Sequence, residues 1–328
     1  MILRLSNSWK PTATEWDQVW NECPYATYFH SREWAEIWEE SSQSTLRPSP
    51  LVLEISNGTT ALLPFSSAGK GITESHISSP GGTFGGWIAK RSLSELEQQV
   101  VTTFIQKHYP NLVWRLNPYE EILQPIKFGS VTKEVTHSLD LSGGFDSIIG
   151  KWTKGHVSAA RKASASGVQI VLAKSKQDWQ KYYAVYENSL IRWGKKATSK
   201  YDWRFFNAMH ERQSSNIKLW MAVYMGEPIA GAICLYSKRH AIYWHGAALA
   251  EQFSLRPVNL LIQEAIRDAV VSGFRWFDFN PSGGNEGVTA FKRSFGATAM
   301  SADVITTRSP MRILIDTAHA IHSGLIRP

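Results

Sequence analysis

A lysine stands between two phenylalanines in the segment GVTAFKRSFGA, residues 287–297. If the segment is a helix, Val288, Phe291 and Phe295 share one apolar face. Lys292 then lies at the edge of that face, four residues after Val288. An ammonium in this position either extends to water along its apolar stem or projects into a cleft, where it can stabilise an anion. Lys292 is therefore the first candidate for chemistry.

A second group of cations lies in KGHVSAARKASASG, residues 154–167. Lys154 and Arg161 are seven residues apart and fall on one helical face, with His156 and Lys162 beside them. Such a face is either solvated or binds phosphate. The forked guanidinium of Arg161 suits the second role best.

Aromatic and histidine side chains alternate in HAIYWHGAAL, residues 240–249. In a strand, Tyr243 and Trp244 point to opposite faces, so one of them can line a cleft and stack on a sugar. His240 and His245 also fall on opposite faces, which makes them a poor pair of metal ligands. We expect no metal site.

Composition limits the classes of protein to consider. The chain has 328 residues, 43% of them hydrophobic, which predicts a globular protein of two domains of about 150 residues each. A net charge of +7 favours anionic partners. Two distant cysteines argue against a disulfide framework or a thiolate zinc site and fit a reducing compartment. With no signal peptide and no stretch of about 20 apolar residues, we expect a cytoplasmic protein.

The first half predicts helices and short strands. Asn57-Gly58 lies between two apolar runs and indicates a β-hairpin. Ser92 and Glu95 have the spacing of a capping box at the start of a helix. The strand VTHSLDLS, residues 135–142, closes this half, and a glycine pair after it marks a domain junction.

The second half predicts a regular succession of elements. After the basic helix come a strand, two helices, three strands, a helix, a strand, the helix with Lys292, and a last strand, AMSADVITTR. From the first of these strands onward, this is the element order of an acyltransferase fold of the GNAT type. The motifs of serine hydrolases, P-loop proteins, zinc proteases and Rossmann dehydrogenases do not occur in the sequence.

Three passages carry a family resemblance. They resemble segments of the Fem-type aminoacyltransferases and their acetyltransferase-like relatives. The family segment R-K-A-x-x-x-G-V is similar to GKWTKGHVSAARKASASGVQI, the segment G-x-x-x-F-D-F-x-G to FRWFDFNPSGG, and the segment G-x-x-x-F-K-x-x-F-G to GVTAFKRSFGA. The resemblance runs from Phe145 to Ala297 and is diffuse in the N-terminal half. It implies an α+β chain with two tandem GNAT-like domains, residues 1–144 and 145–328, each a mixed, mostly antiparallel sheet flanked by helices.

The resemblance also implies a reaction, the transfer of an acyl group to a primary amine. In the best-known members the group is an amino acid carried by tRNA, and the amine belongs to a peptidoglycan precursor. Lys292 matches the family lysine near the reacting ester, where a positive charge stabilises the oxyanion. Asp278 is a candidate base, or equally a structural acceptor of loop N–H groups. Asn280, Phe291 and Arg293 are the remaining candidates for substrate binding.

The sequence departs from ordinary GNAT enzymes in the segment that would bind the donor. Ordinary GNAT enzymes hold coenzyme A pyrophosphate with an Arg/Gln-x-x-Gly-x-Gly/Ala loop, and the corresponding place reads ALAEQFSLRPV. This departure favours aminoacyl-tRNA over acyl-CoA and implies no tightly bound cofactor. The alternatives are an acyl-CoA-dependent N-acetyltransferase and a non-catalytic binder of tRNA or an anionic glycan.

Partners follow from the same resemblance. We expect an anionic or lipid-linked cell-wall or polysaccharide precursor and the acceptor end of tRNA, but no DNA. The C-terminal segment MRILIDTAHAIHSGLIRP is predicted to form an amphipathic helix. Docking on the body of the protein is favoured for this helix over peripheral contact with the inner face of the membrane.

Overall fold

The computed structural model of the chain describes residues 2–120, 126, 128–194, 197, 200–314 and 316. It divides into two compact units: Met1–Glu134 with Ser301–Pro328, and Val135–Met300. Most of the predicted C-terminal helix lies outside the described residues. Within those residues, no helix has the length and apolarity needed to cross a membrane.

The first unit combines helices with short strands. Helices α1–α3 span Ala13–Glu22, Arg32–Ser41 and Glu95–His108. Strands β1–β8 span Leu5–Trp9, Leu46–Pro48, Leu51–Ile55, Thr60–Leu63, Ser66–Ala68, Ser75–Ile77, Leu112–Arg115 and Ser130–Thr132. They form a three-stranded sheet, β1-β3-β4, and most of a six-stranded sheet in the order β2-β5-β6-β7-β16-β8, in which β16 is Val304–Thr307.

Local signals explain most of these elements. The hairpin of β3 and β4 turns at Gly58, which has a φ of 82°, as predicted. Helix α3 starts two residues later than predicted, because Ser94 rather than Ser92 is its N-cap and Glu97 completes the capping box. Glu97 is 1% exposed and also binds the guanidinium of Arg91 at 2.7 Å. This ion pair, between a buried carboxylate and an exposed guanidinium, ties the start of α3 to the loop before it.

The second unit contains the elements of the family resemblance. Helices α4–α9 span Gly144–Gly150, Lys154–Ala165, Lys176–Trp193, Trp203–Glu211, Pro257–Val271 and Glu286–Arg293. Strands β9–β15 span Val135–Asp140, Gln169–Leu172, Ile217–Tyr224, Glu227–Tyr236, His240–Ala248, Trp276–Asp278 and Thr298–Ser301. They form one seven-stranded sheet in the order β10-β11-β12-β13-β14-β9-β15.

Helices cover both faces of this sheet. Ala230 and Ala232 of β12 belong to the core cluster that includes Leu261 and Ile266 of α8. Gly231 lies between the two alanines and points to the other face, where a Cβ would come within 2.4 Å of the ring of Tyr182 in α6. The alternation of small residues along β12 therefore allows α8 and α6 to pack closely on opposite faces.

Two strands lie in different sheets from those predicted. VTHSLDLS, assigned to the first domain, forms β9 and pairs with β14 inside the second sheet. AMSADVITTR, predicted as one strand, forms β15 in the second sheet and β16 (Val304–Thr307) between β7 and β8 in the first. The second unit consequently begins at Val135 rather than at residue 145, and the chain returns to the first unit at Ser301. Strand pairing over long sequence separations determines these boundaries, and the local sequence pattern does not contain it.

Candidate active site

The loop after β14 leads to the lysine predicted for chemistry. Asn285 caps α9 by accepting a hydrogen bond from the main-chain N–H of Val288. Val288 is 39% exposed, so the prediction that it packs on the core together with Phe291 and Phe295 is wrong for this residue. The buried residues lie at the end of the short helix. Lys292 is only 4% exposed, and its Nζ donates to the main-chain oxygen of Asn280 at 2.5 Å. The ammonium is thus held inside the domain, against the loop.

Asp278 fixes the other end of this loop. Its side chain is fully buried, and Oδ1 accepts hydrogen bonds from Thr136 Oγ1 at 2.7 Å and from the main-chain N–H of Asn280 at 2.5 Å. Asn280 has a φ of 61°, a left-handed conformation in which asparagine is one of the few favoured residues. The two bonds support the structural-acceptor alternative for Asp278. They also present the Asn280 carbonyl to Lys292.

A buried histidine lies beneath Arg293. His137 of β9 is 0% exposed, and its Nε2 accepts a hydrogen bond from Arg293 Nε at 3.4 Å. Burial, and then the positive charges of Lys292 and Arg293, lower the pKa of His137, so the imidazole is neutral at pH 7. Among the described residues, no group hydrogen-bonds to its Nδ1.

Arg293 itself is exposed at a cleft. The cleft has a volume of about 550 Å³, and its lining consists of Thr153, Glu286, Thr289, Ala290, Arg293 and Ser294. The lining combines three hydroxyl groups and the Arg293 guanidinium with the carboxylate of Glu286, so the side of the cleft formed by Arg293 is the part that suits an anionic group. Residues of α9 line the cleft, and Lys292 belongs to the same helix. A substrate bound in the cleft would therefore contact the helix that carries the buried ammonium.

Strands β13 and β14 part at this end of the sheet. They are parallel and pair at three positions only, of which the last joins Ile242 to Asp278. Strand β13 continues to Ala248, and its register with β12 shifts because Trp244 is an extra residue between Tyr243 and His245. We call the place beyond the last pair, where β14 has ended and β13 continues, the β13–β14 fork.

Tyr243 and Trp244 flank the fork with different neighbours. The Tyr243 ring is partly buried in the α8-side core, with its centroid 6.2 Å from that of Phe279. Its hydroxyl lies where a Cβ on Gly246 would be, at 1.8 Å, so glycine is required there. Trp244 packs instead on Tyr201, with ring centroids 5.2 Å apart. The two aromatic side chains thus have separate environments, as their alternation predicts.

The basic helix is divided between water and the core. Lys154, Arg161 and Lys162 of α5 are exposed, so the solvated alternative describes them at least as well as phosphate binding does. His156 is partly buried, and its Nδ1 accepts a hydrogen bond from the amide of Asn259 at 2.6 Å. Its ring also packs against Phe291 and Phe295, with centroid distances of 6.0 and 4.8 Å. His156 therefore joins α5 to α8 and to the segment of Lys292.

The connection between β13 and α8 differs from a phosphate-binding loop. A 3-10 helix, Ala250–Leu255, fills it, and no glycine lies between Ala248 and the helix. Arg256 adopts a φ of 58° at the N-cap without a side-chain cap, and Pro257 occupies the first turn. Proline has no N–H to donate, so this helix terminus offers one anion-binding group fewer than usual.

Thr136 and His137 were not predicted as site residues. Both lie in VTHSLDLS, which was assigned to the other domain, and neither belongs to a recognised motif. Three polar residues in a row, Thr136, His137 and Ser138, are all buried in β9. A polar run inside a strand was the only available signal, because buried polar groups require partners.

Part of the chain matches a known protein family. Residues 154–293 match the model of a family described as an acetyltransferase (GNAT) domain. They form a GNAT-type acyltransferase domain. The matched range lies within the second unit, begins at α5 and ends at Arg293 of α9. Among curated protein sequences, none matches the chain.

Solved structures of similar fold cover both units. FemX superposes with a TM-score of 0.69 at 10% identity, over 94% of this chain and 100% of FemX. The C-terminal domain of a lysylphosphatidylglycerol synthetase from Agrobacterium fabrum has a TM-score of 0.58 at 12% identity, over 96% and 99% of the two chains. L-PGS from Bacillus licheniformis has a TM-score of 0.57 at 12% identity, over 93% and 96%. These likenesses establish the fold and confirm the predicted class, two tandem GNAT-like domains.

Proposed function

We propose that the chain moves an aminoacyl group from aminoacyl-tRNA to a primary amine of a cell-wall or polysaccharide precursor. The observation that carries the proposal is the buried ammonium of Lys292, fixed at the loop after β14 in a GNAT-type acyltransferase domain. The acceptor is anionic or lipid-linked, in keeping with the net charge of +7. No tightly bound cofactor takes part.

The reaction is a direct transfer. The amine nitrogen attacks the ester carbonyl, a C–N bond forms, and the carbonyl electrons move to oxygen. Collapse of this oxyanion breaks the bond to the ribose oxygen, which receives the proton that the amine loses. Lys292 stabilises the oxyanion or the phosphate end of the donor. Because aminoacyl esters are activated, holding donor and acceptor in line supplies much of the remaining catalysis.

Two further observations support an aminoacyl donor. The connection from β13 to α8 has Pro257 in the first turn and no glycine loop, which is unfavourable for a pyrophosphate. Two of the similar structures are FemX and a lysylphosphatidylglycerol synthetase, and the name of the second specifies an aminoacylated lipid. Transfer of these activities to this chain is part of the proposal.

One alternative has an observation of its own. The family model that matches residues 154–293 is described as an acetyltransferase, which favours an acyl-CoA donor. The acceptor chemistry and the role of Lys292 would be the same. Under this alternative another part of the domain must bind the coenzyme A pyrophosphate.

The test is a mass-spectrometric transfer assay with purified protein and a pool of peptidoglycan precursors. Charged tRNA and mixed acyl-CoA are supplied in separate reactions, to wild type, to Lys292→Met and to the control Lys238→Met. Lys238 is an exposed lysine in the turn between β12 and β13. We expect an aminoacyl mass gain that requires charged tRNA, disappears in Lys292→Met and persists in the control. A gain from acyl-CoA alone would establish the alternative, and no gain from either donor would favour a non-catalytic binder.

A further inference from the structure

An aromatic pocket surrounds a histidine at the β13–β14 fork. His245 of β13 lies among side chains from α6, the segment before α7, α7 itself and β13, on the face of the sheet opposite α8. We call this set the His245 pocket, and its ring centroids lie 4.6 to 5.9 Å from that of His245: Tyr182, Tyr186, Tyr201, Phe206 and Trp244. The catalytic residues considered so far do not include this histidine.

One hydrogen bond fixes the imidazole. Tyr182 OH lies 2.7 Å from His245 Nδ1. The Tyr182 ring reaches this position because Gly231 of β12 has no side chain, as a Cβ there would come within 2.4 Å of the ring. Tyr182 is 0% exposed, so its hydroxyl depends on a protein partner.

The donor in this bond follows from the protonation of both groups. Burial raises the pKa of Tyr182 well above its ordinary value, so the hydroxyl keeps its proton. Burial lowers the pKa of His245 to about 3, so the imidazole is neutral at pH 7. Among the described residues, Nδ1 is the one partner of the buried Tyr182 hydroxyl, and the hydroxyl proton would have no acceptor if Nδ1 were protonated. Tyr182 therefore donates to Nδ1, and the single imidazole proton lies on Nε2.

The position of His245 along β13 places this residue beside the fork. Ile242 is the last residue of β13 that pairs with β14, and His245 comes three residues later, beyond the bulge. Unlike Tyr182, His245 is partly accessible to solvent. A neutral N–H donor on a partly accessible residue, next to the end of β14, is a preorganised dipole of the kind that stabilises developing negative charge.

We propose that His245 is a further catalytic residue, whose Nε2–H donates a hydrogen bond to the acyl carbonyl oxygen as it becomes the oxyanion. Tyr182 is the positioning residue that keeps the proton on Nε2. No proton is transferred in this step: the hydrogen bond shortens while the carbonyl electrons reside on oxygen and relaxes when the ester C–O bond breaks. The inference rests on the proposed acyl transfer and adds an oxyanion donor to Lys292.

The kinetic test uses variants of the His245 pocket in the transfer assay. Loss of one oxyanion donor lowers kcat by about 10²–10³-fold, so we expect that loss for His245→Phe, with KM unchanged. His245→Gln, whose amide can present an N–H, should recover at least about tenfold of that loss. Tyr182→Phe should lower kcat by less than His245→Phe. The matched control is Tyr183→Phe, because Tyr183 is the neighbouring tyrosine of α6, is partly exposed and lies outside the His245 pocket.

A spectroscopic measurement tests the tautomer without activity. In protein labelled with ¹⁵N-histidine, the His245 signals, assigned by their absence in His245→Gln, should show a protonated Nε2 and an unprotonated Nδ1 at pH 7. In Tyr182→Phe this preference should weaken. A proton on Nδ1, or transfer by His245→Phe at the wild-type kcat, would overturn the inference and leave the proposed function standing. Absence of transfer by wild type with either donor would overturn the proposed function, and the role of His245 with it.

Discussion

Replacement of Lys292 by methionine separates a catalytic from a structural role for the buried ammonium. The variant keeps most of the apolar stem and removes the hydrogen bond from Nζ to the Asn280 carbonyl. A hydrogen bond to a charged group contributes about 1.5–3 kcal/mol. From a stability of about 5 kcal/mol, the low end for domains, a loss of 3 kcal/mol leaves about 97% of the molecules folded. Unfolding alone can therefore remove only a few per cent of the activity.

Loss of a catalytic charge lowers the transfer rate far more than the few per cent expected from unfolding. Removing one charge or donor at the oxyanion costs about 10²–10³-fold in rate. We expect Lys292→Met to show that loss in a single-turnover transfer assay, while urea denaturation shows a folded protein with a modestly lowered midpoint. The reasoning is refuted if the rate falls by less than about threefold. It is equally refuted if a larger loss is explained by the unfolded fraction measured in the same sample.

Three further outcomes follow from the packing and the charges. The hydrogen bond from Arg91 is the largest cause that lowers the pKa of Glu97 in the folded protein. The Glu97 carboxylate therefore stabilises the first unit at pH values above its unfolded pKa of about 4.3. Glu97→Gln should lower the urea midpoint at pH 7, and the difference from wild type should shrink as the pH falls below about 4. Gly231→Ala places a methyl group against Tyr182 and should destabilise the second unit by about 1–3 kcal/mol, measured by thermal unfolding. Asp278→Asn replaces the acceptor of two loop hydrogen bonds and should cost about 1–3 kcal/mol in unfolding free energy. Its kcat should fall by less than that of Lys292→Met. A loss of kcat as large as that of Lys292→Met would instead identify Asp278 as the base.

Local signals in the sequence predicted most of the second unit. Strands β11, β12 and β13 follow from three successive apolar runs with tight turns between them, and Gly273, with a φ of 78°, ends the turn after α8. The position of Lys292 near a loop after a strand also follows from the motif that contains it. Its burial does not, because an eight-residue helix packs by its end and the periodic pattern assumes that it packs along its length.

Contacts between distant segments could not be predicted. Thr136 reaches Asp278 across 142 residues, because β9 pairs with β14 and not with a strand of its own half. In the sequence, His245 is one of two histidines that make a poor pair of metal ligands. Its hydrogen bond with Tyr182 could not be predicted, because only the tertiary structure brings Tyr182 to His245 Nδ1. Hydrogen bonds of this kind depend on which strands and helices become neighbours, and residue spacing does not specify that choice.

The most direct test of the account is whether an acceptor amine drives deacylation of charged tRNA. Purified wild-type protein is incubated with tRNA carrying labelled amino acids, with and without the precursor pool, and the ester that remains is counted over time. The account predicts that ester loss accelerates only when precursor is present and that the label appears on the precursor in equal amount. Charged tRNA that stays intact, while acyl-CoA is consumed under the same conditions, would contradict the central claim.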